Sequence, residues 1–410
     1  MRTLQHAMEQ ALHGLPQQVL SGLITQKLNA QGVKLSARER KLLAEHILRG
    51  GKDTLRFRRW QWWEHDRQIK LHFTPQDAEQ IERKFTAFIE NRLPDLIEVV
   101  VEDLSGKILA DLKRKWRAES SRQRRELAGF RKRLHERWEL PLEGLRMLLT
   151  ICRELGDSIN QELRQSPGPS RKHLVEVMTR SHARACQVTE EVICLLEGGF
   201  ADGAMARWRT LHEIAVVSFF VAAHGEDLAE RYVLHQVVES KRAAADYEKC
   251  HSRLGYEPMH GNEIKALQRS YDKVMARFGP NFGGQYGWAA HHLRVAKPKF
   301  QQIEQSAGIG HLRAHYRMAS HNVHANPKGV FYKLGLLHQS QLLLACPSNA
   351  GLADPGHCAA LSLAQVSTVL GTLQPTLDNN VALHMIARLV SQLGDLFGQA
   401  HKHLADDAHS

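Results

Sequence analysis

Residues 172–225 read KHLVEVMTRSHARACQVTEEVICLLEGGFADGAMARWRTLHEIAVVSFFVAAHG. No proline occurs between Ser170 and Glu257. Apolar positions recur at three and four residues, first Val175, Met178, His182, Ala185 and Val188, then Met205, Trp208, Leu211, Ile214 and Ala215. That period is the signature of a helix with one buried face. Gly198-Gly199 and His224-Gly225 punctuate the run into three segments of about 25 residues. Helices joined by such short turns return antiparallel, so the stretch predicts a multi-helix bundle.

Working outward, Ser166-Pro167-Gly168-Pro169-Ser170 cannot continue a helix. It divides the chain into a basic helical region, 1–165, and a C-terminal bundle, 171–405. Residues 17–49 read as two helices, and partial alternation leaves room for one short β-hairpin near residues 55–73. Thr74-Pro75 reads as an N-cap followed by proline at the first helical position. The basic stretch predicts one long or broken helix to about Leu140, with another from Pro141 to about Arg164. Further helices are expected over His311–His324, ended by Asn326-Pro327, and over Phe331–Ala345. A last one carries Leu383, Ile386, Leu389, Val390, Leu393, Leu396 and Phe397 on one stripe. The fold class is all-α.

The 410 residues include 55 Lys and Arg against 44 Asp and Glu, and 43% are hydrophobic. The longest near-apolar run, Ile214–Ala223, is half of the roughly twenty residues a membrane span needs. MRTLQHAMEQALHGL shows no signal peptide, and six cysteines without a Cys-x-x-Cys pair support neither a zinc ribbon nor a disulfide framework. A cytoplasmic protein is expected. No Walker A loop, Rossmann fingerprint, Gly-x-Ser-x-Gly or His-Glu-x-x-His is present. His311 and His315 are four apart, but no acid lies between Gln305 and Asn326 to complete a local metal site. No cofactor is implied.

The charge is uneven. Lys107–Arg137 holds twelve Lys and Arg against four acids, leaving 43 bases against 40 acids elsewhere. Trp116, Phe130 and Trp138 interleave with these cations. Cations beside aromatic faces suit a phosphate backbone with stackable bases, so Lys113, Arg114, Lys115, Arg124, Arg125, Arg131, Lys132 and Arg133 are candidate contacts to RNA or other nucleic acid. The plainer reading is a solvated helix whose tryptophans face inward.

Tyr316-Arg317-Met318-Ala319-Ser320-His321-Asn322-Val323-His324 carries the most chemistry. Arg317 and His324, seven apart, are expected on one helix face with Ser320 and His321 nearly in line. A guanidinium that holds a phosphate and an imidazole that moves a proton are the minimum for cleaving RNA through its own 2′-hydroxyl. Arg209 and Glu213, four apart, can pair along their helix. Tyr232, His235 and Glu239 form a second polar stripe, suited to a structural network or to a small-ligand pocket.

The runs at 203–213 and 316–324 resemble an uncharacterised bacterial all-helical family (domain of unknown function 5677) over about residues 170–345. Arg followed by His after six intervening residues is also similar to the HEPN superfamily of helical ribonucleases, although Met318 stands where those enzymes commonly carry a polar residue. The resemblance implies a metal-independent endoribonuclease, with Arg317 binding phosphate, His324 transferring the proton, and Glu213 and Arg209 orienting them. It also implies a toxin or antiphage role, a homodimer and a regulatory protein partner. The rival is a non-catalytic nucleic-acid-binding or sensor protein.

Overall fold

A computed structural model describes residues 18–33, 35–49, 54–57, 67–165, 171–324, 326–337 and 343–409. The chain forms two compact units, Met1–Arg122 and Gln123–Ser410. It is all-α in architecture, and no helix among the described residues is long and apolar enough to cross a membrane.

In the first unit, α1 (residues 18–30) and α2 (Ala37–Leu48) bury Leu20, Ile24, Leu28, Leu43 and Ala44 together with Leu71. Strands β1 (Thr54–Phe57) and β2 (Arg67–Lys70) pair antiparallel, with Thr54 opposite Lys70 and Phe57 opposite Arg67. Helix α3 (Pro75–Asn91) starts as its sequence predicts: Thr74 caps it, and the Asp77 carboxylate accepts back from the Thr74 N–H at 2.6 Å. Trp60, Trp62 and Trp63, with Arg58 and Arg59, lie outside the described residues.

Helix α4 (Leu93–Gln165) is continuous and contains Pro141, so the expected break there does not occur. Proline removes one helical hydrogen bond, but Trp138, Leu142 and Leu145 beside it are buried, and their packing outweighs that local cost. These residues sit in one core with α5 (Lys172–Glu197), α6 (Ala201–Cys250), α12 (Ala353–Gly371) and α13 (Leu377–His409). The compact units divide after Arg122, within α4, and the segment 166–170 read as the divide from sequence lies outside the described residues. Of the two turns read from sequence, the first is present, and the second is a kink inside one helical element. Gly198-Gly199 ends α5, and Gly225, at φ 73° and ψ −150°, kinks α6.

Helix α7 (Gly261–Phe278), the short α8 (Ala290–Leu293), α9 (Phe300–Ala307), α10 (Arg313–Val323) and α11 (Pro327–Phe331) follow. The helix expected over Phe331–Ala345 is absent from the described part of that range, residues 332–337 and 343–345. Long-range backbone bonds replace it: the Leu334 N–H donates to Asp202 at 3.1 Å, and the Ser348 N–H donates to the Gly199 carbonyl at 2.9 Å.

Close approach of α4 and α5 depends on Gly156, where a Cβ would stand 2.5 Å from the His182 ring. His182 is buried, 3.1 Å from the Ser367 hydroxyl, and burial pushes its pKa down to about 4. The unfolded chain titrates near the ordinary histidine value, so it binds the proton first as pH falls. Stability from this group is present above about pH 6.5 and is lost towards pH 4, by about 3 kcal/mol. Urea midpoints at pH 7 and pH 5 should fall more steeply for the parent than for His182→Gln.

Candidate functional site

Helix α10 presents two different faces. Its inner face buries Tyr316 and Ala319, and Tyr316 stacks on Phe300 of α9 at 5.1 Å between ring centroids. The Tyr316 hydroxyl donates to Glu213 Oε1 at 2.6 Å, and Arg209 Nε donates to the same oxygen at 3.1 Å. The Arg209 guanidinium also lies over the Tyr316 ring, 4.9 Å from its centroid. Burial and the Glu213 carboxylate both push the Tyr316 pKa up, which keeps the phenol protonated as the donor. The pairing of Arg209 with Glu213 expected from sequence is present, and its third member is Tyr316, not Arg317.

Below this layer lies a cluster missed by sequence reading. Glu304 of α9 is 1% exposed; its Oε1 is 2.9 Å from His212 Nε2, and its Oε2 accepts from Arg313 at 2.8 Å. Burial pushes the His212 pKa down against the opposing pull of Glu304. His212 is therefore neutral and donates from Nε2 to the carboxylate, and its buried Nδ1 has no hydrogen-bond partner among the described residues. Glu304 sits at an apolar position of the Phe300, Ile303, Ala307 pattern, and that misplaced charge was the available signal.

The outer face carries Arg317, which is exposed, and His321 one turn further on, which is half-buried. Residues four apart on a helix are surface neighbours, so the backbone brings these two together. His324 does not share the face as expected. The helix ends at Val323, and His324 is an exposed cap with extended backbone, φ −107° and ψ 138°. Neither the Arg317 nor the His324 side chain has a hydrogen bond or ion pair among the described residues. Ser320 turns its hydroxyl back to the Tyr316 carbonyl at 2.8 Å.

Asn326 fixes the histidine between them. Its Oδ1 accepts from the Gly329 N–H at 2.8 Å, capping α11. Its Nδ2 is then the donor to His321 Nδ1, also at 2.8 Å, which leaves the His321 proton on Nε2. Only glycine fits at 329, because a Cβ there would stand 1.9 Å from the His321 carbonyl oxygen.

The other sequence candidates are placed elsewhere. Tyr232, His235 and Glu239 line a cavity of about 510 Å³ with Arg180, Arg184 and Trp288. His235 is 1% exposed and already bonded to the Gly284 carbonyl at 3.0 Å, so it is not available to a ligand. Lys113, Arg114, Lys115, Arg124, Arg125, Arg131, Lys132 and Arg133 are all exposed on α4. Asp111 pairs with both Arg114 and Lys115. Trp116 is 57% exposed, whereas Trp138 is buried. Cys152 and Cys186 have thiols pushed up by burial to about 12 and about 11, so neither is a thiolate at neutral pH. No group of three or more His, Cys, Asp or Glu among the described residues is placed to hold a metal ion.

Residues 175–340, which contain α10, the Arg209–Glu213–Tyr316 layer and the Glu304 cluster, match the model of a family of unknown function (DUF5677). No curated protein and no solved structure matches the chain.

Proposed function

We propose that the chain is a HEPN-like, metal-independent endoribonuclease whose reacting surface is the outer face and C-terminal end of α10. The observation that carries this reading is the contrast across α10. The inward charges Arg209, Glu213, Glu304 and Arg313 are paired, whereas Arg317 and His324 face solvent with no partner among the described residues. A guanidinium held in that way binds phosphate through two parallel donors. His321, its proton set on Nε2 by Asn326, adds a neutral donor for the charge that builds on the non-bridging oxygens. His324 accepts the 2′-hydroxyl proton as the 2′ oxygen bonds to phosphorus. It returns that proton to the departing 5′ oxygen as the phosphorus–oxygen bond breaks. The products are a 2′,3′-cyclic phosphate and a free 5′-hydroxyl.

The exposed cations Arg124, Arg125, Arg131, Lys132 and Arg133 would gather RNA through its phosphates, which gives salt-sensitive but sequence-independent binding. A bacterial cytoplasmic setting, a toxin or antiphage role and a restraining protein partner follow from the likeness to HEPN ribonucleases.

The test is incubation of purified protein with mixed RNA in EDTA, beside Arg317→Ala and His324→Ala. The parent should cleave and leave cyclic phosphate ends, and each variant should be slower by at least ~100-fold. Cleavage by all three proteins would place the activity elsewhere. RNA binding without cleavage by any would favour the second reading, a non-catalytic nucleic-acid-binding or sensor protein. The observation behind that reading is the Arg209–Glu213–Tyr316 layer, whose bonds are all internal and structural.

A further inference from the structure

The first turns of α4 stand out. Val99, Val100, Val101, Ile108, Leu109, Leu112 and Trp116 are between 42% and 64% exposed. Val101, Leu104, Ile108, Leu112 and Trp116 recur every three or four residues, which makes a stripe along one side of the helix. A stripe of that length on a helix is a partner-binding seam in search of cover. The charges around it are sorted by position. Residues 93–106 hold four acids, Asp95, Glu98, Glu102 and Asp103, and no Lys or Arg. Residues 107–117 hold five bases, Lys107, Lys113, Arg114, Lys115 and Arg117, and the single acid Asp111.

We infer that this stripe pairs antiparallel with the same stripe of a second copy of the chain. In a parallel pair the acidic turns would meet acidic turns and the basic turns basic ones. An antiparallel pair sets each acidic half against the partner's basic half. A two-fold axis beside Ile108 places Ile108 against its own copy and Leu104 level with Leu112 of the second copy. It brings Glu102, on the flank of the stripe, within one residue of level with the copy's Lys113, which lies on the same flank. The interface is isologous, so one helix supplies both complementary patches. Glu102 and Lys113 have no ion pair among the described residues, and the pairing gives each one. Lys113 then serves self-association, and the exposed Arg125, Arg131, Lys132 and Arg133 lie further along the helix, on the side of nucleic-acid contact. The inference is independent of the nuclease reading.

The test is sedimentation of the full chain over a range of concentrations. The parent should be a dimer, and Ile108→Glu should weaken it by at least ~10-fold while the thermal unfolding of the protein is otherwise retained. Glu102→Lys should also weaken the dimer. Adding Lys113→Glu to that same chain should restore it, because the exchanged charges match again only when the helices are antiparallel. Ile108→Cys should give an oxidative cross-link between copies beyond any formed by the parent's own cysteines. A parent that stays monomeric, a dimer indifferent to Ile108→Glu, or a Glu102/Lys113 charge exchange that fails to restore pairing would overturn the inference.

Discussion

Glu304→Ala should destabilise the C-terminal unit by about 3–5 kcal/mol, read as a lowered urea midpoint and a melting temperature lower by about 10 °C. The expectation comes from what the substitution leaves behind. Glu304 has a side chain 2% exposed, and its two oxygens serve two different partners, the fully buried His212 at 2.9 Å and Arg313 at 2.8 Å. Removal leaves Arg313, whose side chain is only 27% exposed, without its counter-charge. It also leaves the His212 Nε2–H without an acceptor where no water replaces the carboxylate. Glu304→Gln keeps an acceptor for one partner and loses the charge, so about half of the cost should remain. A loss below about 1 kcal/mol for Glu304→Ala would show that the cluster is solvated and that the charges are not buried in the energetic sense.

The protonation of this cluster explains why a carboxylate is tolerated in a core. Burial drives His212 towards its neutral form. The charges left are one carboxylate and one guanidinium, which cancel, and the neutral imidazole supplies a directed donor. A charged His212 would add an uncompensated cation to an apolar layer bounded by Trp208 and Tyr316, whose rings lie 5.4 Å and 5.6 Å from the His212 ring. The cluster ties α6, α9 and α10 together beneath the face that displays Arg317, so it is a positioning device for whatever that face does.

Elements whose boundaries depend on nearby residues were legible from sequence. Gly199 at φ 77° and Gly225 at φ 73° end or kink their helices through their own backbone freedom, and Thr74 with Asp77 caps α3 within four residues. Misreadings arose where distant contacts overrode local preference. Pro141 is a strong local stop, yet the burial of Trp138, Leu142 and Leu145 carries α4 through it. Phe331 to Ala345 is apolar enough for a helix, yet the Leu334 N–H bonds to the Asp202 carboxylate and, just past the segment, the Ser348 N–H bonds to the Gly199 carbonyl, and the described part from Tyr332 onward is irregular. The candidate site divides in the same way. The pairing of Arg209 with Glu213 follows from four-residue spacing. The common face of Arg317 and His324 assumed a helix that in fact stops at Val323, and the role of Asn326 depends on α11 closing against His321 across Gly329.

Trp138→Ala should cost the C-terminal unit about 3–5 kcal/mol, whereas Trp116→Ala on the same helix, which belongs to the first unit, should change the stability of the C-terminal unit by less than about 0.5 kcal/mol. Both residues interleave with Lys and Arg in one stretch, and spacing does not distinguish them. Trp138 is 0% exposed, donates from Nε1 to the Asn349 carbonyl at 2.9 Å, and packs 6.3 Å from the Phe397 ring of α13. Trp116 is 57% exposed. Trp138→Phe would keep much of the packing and lose the hydrogen bond, so a loss of about 1 kcal/mol should remain as the separate contribution of that bond. The pair of alanine variants, compared by urea unfolding, also decides where the C-terminal unit begins. If the bundle were complete from residue 171 onward, Trp138 would be an attachment whose removal leaves the main transition unchanged. A shift of the main transition requires that the later turns of α4, from Leu134 to Ile159, form part of the same cooperative core as α5, α12 and α13. The basic stretch is then divided by energetics as well as by charge: its end is a core helix, and its beginning is a surface.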